Sequence, residues 1–340
     1  MNHRFAQLGA DDRRLAFADA ALTLQLQPAI LEKDFWVSWL LGLLFSLPAL
    51  RGHLVFKGGT SLSQVFGVID RFSEDIDLCL QPAFVGADAA AFDALASRGK
   101  RDAAVLEMQR LCAERAQQVV MPLLEGAIAQ ALGSAPDGNW LRYELDADAK
   151  SPIVYFRYPA GAGAGFEYLQ REVKLELGTL TDQQPTGVYP VRPLIADAFA
   201  QVFEGWSAQV TALELQRTFW EKATILHAEY HRPAQQPTPA RYARHYFDME
   251  RLLQHPRAPA FLADRAQCAR VVDWKARVFA RAWARYDLAV PGSFRLVPPP
   301  ARRQALAQDY ATMRPMFLSE PPAFDALLQV LAHAEATLNG

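Results

Sequence analysis

Residues 57–77, KGGTSLSQVFGVIDRFSEDID, set two adjacent glycines and two hydroxyls ahead of two acids spaced one residue apart. In an extended strand residues i and i+2 share a face, so Asp75 and Asp77 would present two carboxylates together while Ile76 and Leu78 face a core. Such oxygen ligands suit Mg2+, which takes one or two carboxylates and completes its shell with water and substrate phosphates. Gly58 and Gly59 let the backbone approach a phosphate closely. The hydroxyls of Thr60 and Ser61 can donate to it, and a helix opening at the turn adds its first amides. No GxxxxGK[ST] pattern occurs here, so a P-loop does not explain the turn. Two-metal chemistry also needs a base near the attacking hydroxyl. REVKLELG at 171–178 supplies a third acid, because Lys174 and Glu176 share a face opposite Val173, Leu175 and Leu177. Taken singly, these stretches read as a turn with a helix cap, a solvated strand end and an amphipathic edge strand. In strand–turn–helix–strand order they read as a nucleoside triphosphate site.

The elements that must position these residues follow from periodicity. His53–Lys57 is a short strand running into the glycine turn, Thr60–Ile69 a helix leaving it, and Asp75–Leu80 a strand with one face given to chemistry. Upstream, Arg13–Leu24 and Pro28–Leu47 have helical spacing, the second opened by Pro28 at a first-turn position. Ala87–Leu132 reads as one or two long helices. Three strands follow, Trp140–Leu145, Ile153–Tyr158 and Glu172–Leu177, separated by Pro, Gly and Asp, including AGAGAG at 160–165. After about Val191 the pattern turns helical: Leu213–Tyr230, Ala240–Leu253, Phe261–Tyr286, Arg302–Met313 and Pro322–Leu338, with Pro-rich loops at 231–240 and 297–300. The fold class is therefore mixed α/β followed by an α-helical region.

With 340 residues, 51% apolar and 21% charged, the chain has the composition of a globular protein of one or two domains. The longest apolar run, Phe35–Leu47, follows the charged triplet Glu32, Lys33, Asp34 and falls short of the roughly 20 residues a membrane span needs. It reads as a buried helix, with no membrane partner and no secretory signal at the N-terminus. Three widely spaced cysteines, Cys79, Cys112 and Cys268, suggest neither a disulfide framework nor a zinc knuckle, which fits a reducing cytoplasm. Net charge is −2. Between Arg241 and Pro315, however, fourteen Arg and Lys face six Asp and Glu, an excess of eight that leaves −10 for the remainder. Within this basic region Arg277, Arg281 and Arg285 are spaced as one helix face, a stripe that RNA phosphate could offset. His227 and His231, at i and i+4 without an HExxH arrangement, read as structural. Trp36, Trp39 and Trp220 read as core.

Five blocks together resemble the nucleotidyltransferase toxins of the AbiEii type, within the DNA polymerase β-like nucleotidyltransferase superfamily. They are LEKDFWVSWLL (31–41), VFKGGTSLSQVFGVIDRFSEDIDL (55–78), EVKLELG (172–178), RTFWEKATILH (217–227) and ARHYFDM (243–249). The resemblance implies a nucleotidyltransferase domain with N-terminal helices over 1–195 and a helical C-terminal domain over 196–340 that contributes to the active-site cleft. It implies Mg2+ held by Asp75 and Asp77, with NTP gripped by Lys57, Gly58, Gly59, Thr60 and Ser61 and Lys174 beside the third acid. It also implies catalytic roles for Glu176, Lys222 and Asp248, the last after Arg244 in an Arg-x-x-x-Asp pattern. The third acid is Glu here, where the superfamily often has Asp. The implied reaction is transfer of NMP to an acceptor hydroxyl, the 3′ end of tRNA by analogy with characterised relatives, with a cognate antitoxin as partner. A small-molecule nucleotidyltransferase and a non-catalytic NTP- or RNA-binding protein are the alternatives.

Overall fold

A computed structural model describes residues 3–160 and 171–340; AGAGAG at 160–165 lies, from 161 on, outside them. The chain forms two compact units, residues 1–65 with 73–213 and residues 66–72 with 214–340.

The first unit is built on a seven-stranded mixed sheet: β1 (Leu54–Lys57), β2 (Ile76–Leu80), β3 (Leu141–Leu145), β4 (Pro152–Arg157), β5 (Glu172–Gly178), β6 (Thr186–Val191) and β7 (Ala208–Leu213), in the order β3-β4-β5-β2-β1-β7-β6. The β2–β5 and β1–β7 pairs are parallel and the others antiparallel. Alternation assigns the faces. Phe56, Leu78, Leu175, Val154 and Phe156 enter one large core, whereas Lys57, Asp77, Glu176, Lys174 and Tyr155 are only partly buried on the other side.

Helix α1 (Ala10–Leu24) and helix α2 (Pro28–Ser46) contribute to that core. Every residue of α2 from Ile30 to Phe45 is buried, the charged triplet included. An all-round buried helix has no polar face to show water, so its charges must be paired internally. Trp36 and Trp39 are fully buried in the core. Helix α3 (Gly58–Gln64) begins at the glycine turn and stops before Ile69, where a longer helix was expected; Gly67, at φ +59°, lies in a region a helix cannot use. Helix α4 (Arg98–Arg115) continues through a π-turn at 116–120 into helix α5 (Met121–Leu132), after a separate short helix at Ala89–Asp93.

The region after Val191 is not uniformly helical, since β7 returns to the sheet beside β1. The second unit then holds α6 (Leu215–Tyr230), α7 (Ala243–Gln254), α8 (Arg265–Val278), α9 (Pro300–Thr312) and α10 (Phe324–Asn339). The expected single helix over 261–286 is broken. Asp264 caps α8 by accepting from the Gln267 amide, and α8 ends at Val278. Among the described residues no helix is long and apolar enough to cross a membrane.

Candidate active site

In the first unit the sheet register gathers the acids. Lys57 pairs with Asp77 across β1–β2, and Asp77 with Glu176 across β2–β5, so one row of side chains runs Lys57, Asp77, Glu176. The glycine turn is packed against this row. Gly58 has φ +84°, and a Cβ on it would lie 2.0 Å from Asp77 Oδ2, so no other residue fits without moving the carboxylate. The first glycine is thus needed both for its backbone angle and for the bare surface it offers Asp77.

Thr60 is fully buried, and its hydroxyl donates to the Asp75 carbonyl and shares a 2.9 Å hydrogen bond with Ser73 Oγ. That hydroxyl ties the acid-bearing segment to the turn, a different use from the phosphate contact its sequence context suggests. Ser61 Oγ is buried and has no hydrogen-bond partner among the described residues.

Electrostatics mark the acids as a cation-seeking group. Burial raises the Asp75 carboxyl to about 6; Lys174 opposes the rise, and Glu74, Glu176 and Asp77 add to it. Glu176 is pushed up by burial, but its hydrogen bond to Lys174 and the charges of Lys174 and Lys57 outweigh this and hold it below the ordinary carboxylate range. Lys174 and Glu176 form a close ion pair. Among the described residues no three His, Cys, Asp or Glu converge on a point. The donor set is a carboxylate pair, which fits Mg2+ with its retained waters and substrate oxygens better than an all-protein zinc cage.

The α2 triplet braces these residues from the core side, a role that sequence spacing alone did not suggest. Lys33 Nζ meets Glu74 Oε2 at 2.5 Å, immediately before Asp75 in the chain. Asp34 accepts from Gln64 Nε2 at 3.1 Å, at the end of α3, and from the Leu194 amide at 2.6 Å. Burial raises Asp34 to about 7 even though both hydrogen bonds favour its ionised form.

In the second unit Lys222 and Asp248 come together. Asp248, fully buried on α7, accepts 2.7 and 2.9 Å bonds from the Arg71 guanidinium and a 2.7 Å bond from Lys222 Nζ. Burial pushes Asp248 up, and the charges of Arg71 and Lys222 more than reverse this, leaving it well below its ordinary value. Burial depresses Lys222 although Asp248 opposes it, and burial together with the Lys222 charge keeps His245 neutral, its Nδ1 3.2 Å from the ammonium. Sequence reading missed Arg71. Its place in RFSEDID, four residues ahead of Asp75, was the available signal.

The arginine stripe does not exist as a helix face. Arg277 lies in the last turn of α8 and pairs with Asp273 at 2.9 Å, Arg281 is in extended backbone, and Arg285 has φ +46° and pairs with Asp287 at 2.8 Å. His227 has a structural place, its Nε2 bonded to the Arg285 carbonyl at 2.9 Å and its Nδ1 accepting from the Arg295 amide at 3.1 Å.

A mixed α/β unit with a glycine turn packed on an Asp-x-Asp strand and a third acid in parallel register has the make-up of a nucleotidyltransferase. Residues 39–330 match the family profile described as "Nucleotidyl transferase AbiEii toxin, Type IV TA system". The chain belongs to that family of nucleotidyltransferase toxins. Among solved structures it is similar to MenT4, a nucleotidyltransferase toxin from Mycobacterium tuberculosis H37Rv, at 16% identity over 100% of each chain, with a TM-score of 0.41. A likeness of that size adds nothing to the family assignment. No curated protein matches the chain.

Proposed function

We propose that the protein transfers a nucleoside monophosphate from an NTP to the hydroxyl of an RNA acceptor, the 3′ end of tRNA being the expected target, and so blocks translation in the cytoplasm until a cognate antitoxin restrains it. The observation that carries the chemistry is the row formed by Asp77 and Glu176 in register, with Gly58 packed on Asp77 and Asp75 raised by burial beside them. The acceptor oxygen attacks the α-phosphorus, a new P–O bond forms, and the bond to the β-phosphate bridging oxygen breaks, its electron pair leaving with pyrophosphate. Glu176, held ionised by Lys174, receives the acceptor proton. Asp75 and Asp77 would hold Mg2+, which when bound supplies positive charge to the triphosphate and the leaving group. The turn from Lys57 to Ser61 grips the phosphates, and its backbone amides carry that task while the Thr60 hydroxyl holds the acid segment. Lys222, tethered by Asp248, is given the neutralisation of phosphate charge from its motif.

The test is incorporation of each α-labelled NTP into total RNA with Mg2+. Asp75→Ala and Asp77→Ala should each lower incorporation at least about a hundred-fold. Their thermal midpoints should stay within a few degrees of wild type, because each removes one member of a mutually repelling set. Retained incorporation in both variants would sink the assignment.

A further inference from the structure

The sheet order places the parts of the reaction in sequence. The phosphate turn follows β1, Asp77 is on β2 with Asp75 immediately before that strand, the third acid is on β5, and the next strands outward are β4 and then β3 at the edge. If the donor triphosphate lies at the β1–β2 side and the attacking hydroxyl at Glu176, the acceptor extends over β4 and β3.

The side chains found there have a specific character. Lys174 on β5 is in register with Tyr155 on β4, and Tyr155 with Arg142 on β3, so a second row runs parallel to the Asp77–Glu176 row on the same face. Tyr155 lies two strand spacings from β2, roughly 10 Å. The Arg142 guanidinium lies 3.9 Å from the centroid of the Tyr155 ring. Its NH1 and NH2 donate to Glu144 and Glu172, both at 3.2 Å. Glu144 also receives a hydrogen bond from Tyr155. The Arg142 side chain is nevertheless 40% exposed.

This geometry discriminates between ligands. An arginine that grips phosphate keeps its donors free for the oxygens. Two of the five N–H donors of Arg142 are engaged by carboxylates that also offset its charge, and the guanidinium lies over the Tyr155 ring between strands, so what it offers a ligand is a flat face with its charge largely compensated. A fixed aromatic ring layered with a fixed guanidinium is the surface on which unpaired bases stack.

We propose that Tyr155 and Arg142 form a stacking platform for the nucleobase at the unpaired end of the RNA acceptor. The platform rests on the transfer reaction proposed above and supplies its acceptor subsite: stacking of the terminal base holds the ribose hydroxyl over β5, toward Glu176. The ligand class is a single-stranded ribonucleotide end.

Transfer kinetics on unfractionated tRNA, and on a short single-stranded oligoribonucleotide, test the platform in the full chain. Tyr155→Leu keeps apolar volume on the strand and removes the ring, and should raise the acceptor KM at least about five-fold on either RNA. The KM for NTP should stay within two-fold. Tyr155→Phe loses the hydrogen bond to Glu144 and keeps the ring, so it should retain the wild-type acceptor KM. Tyr155→Trp should do the same or lower it. Arg142→Met, at the edge strand, should raise the acceptor KM alone. If wild-type protein labels RNA and Tyr155→Leu keeps its acceptor KM, the platform falls and the reaction stands. A rise confined to the NTP KM also overturns it, because the ring would then hold the donor base. Should Tyr155→Leu not fold, equal loss in Tyr155→Phe and Tyr155→Trp would assign the residue to stability and overturn the platform. Wild-type protein that labels no RNA overturns reaction and platform together.

Discussion

Asp75 is the residue on which the site turns, because three neighbouring acids and its own burial all disfavour its charge. Its carboxyl, raised to about 6, is substantially protonated in mildly acidic solution, so a cation must displace a proton to bind there. The Mg2+ concentration for half-maximal transfer, corrected for protonation of the NTP, should therefore stay level above pH 7. Below about pH 6 it should rise, approaching ten-fold per unit for one displaced proton. A half-saturation that is flat from pH 5 to 7.5 would show that Asp75 does not compete with a proton for the metal. Much of the grouping of side chains in this candidate site was legible in the sequence. A period of two placed Asp75 with Asp77 and Lys174 with Glu176, and the structure sets Asp77 and Glu176 in register. What spacing could not show was that Gly58 is required by the Asp77 side chain, or that the Thr60 hydroxyl turns toward Asp75. Both depend on strand pairing, which a linear pattern does not encode.

Among the elements, α2 has the most to do with holding that site. Its triplet follows Pro28 by only a turn, and the fold buries all three charges. Lys33 holds Glu74, and Asp34 holds Gln64 and the Leu194 amide, so one helix fixes both the end of α3 and the residue before Asp75. Holding Asp34 ionised has a cost. Its folded pKa of about 7 lies above the ordinary 3.8, so the stability that comes with its bound proton is fully present below pH 3.8 and is lost as pH rises through 7. Asp34→Asn should thus gain stability relative to wild type as pH rises from 5 to 8, by about 3 kcal/mol at most, read as a rise in its relative thermal midpoint. A midpoint difference independent of pH would show that Asp34 titrates normally. The misread elements share a cause, which is that tertiary contacts override local propensity. Residues 261–286 contain no Gly or Pro to mark a break, but Asp264 serves as a cap and the Arg285 carbonyl is taken by His227. Strand β7, AQVTAL, alternates apolar and polar residues over a span too short to stand out beside the helical segments after it, and it pairs between β1 and β6. Pro190 in β6 is compatible with a strand because β6 is at the sheet edge.

On the scale of the whole molecule, the charge asymmetry is partly internal pairing. Arg251 meets Asp70, Lys275 Glu221, Arg295 Glu335 and Arg314 Glu320, four acids outside the basic stretch, so about half of its excess of eight is offset by ion pairs. A second consequence of the chain path is that the second unit is discontinuous. Residues 66–72 belong to it: Arg71 bridges to Phe317, the Phe72 amide donates to the Met316 carbonyl at 2.6 Å, and the Leu318 amide donates to the Asp70 carbonyl at 2.8 Å. Arg71 is also one of two cations on the buried Asp248. Removing one partner of a buried pair costs about 3–5 kcal/mol, a large part of the 5–15 kcal/mol that stabilises a typical domain. A fragment comprising Glu214–Gly340 should therefore be digested rapidly by a protease that leaves the same residues intact in the full chain. The same fragment carrying Asp248→Leu together with Lys222→Met, which replaces the remaining buried pair with apolar volume, should recover part of that resistance. Equal resistance of the unmodified fragment and the full chain would show that the second unit folds without its N-terminal segment, and that Arg71 serves Asp248 in some way other than stability.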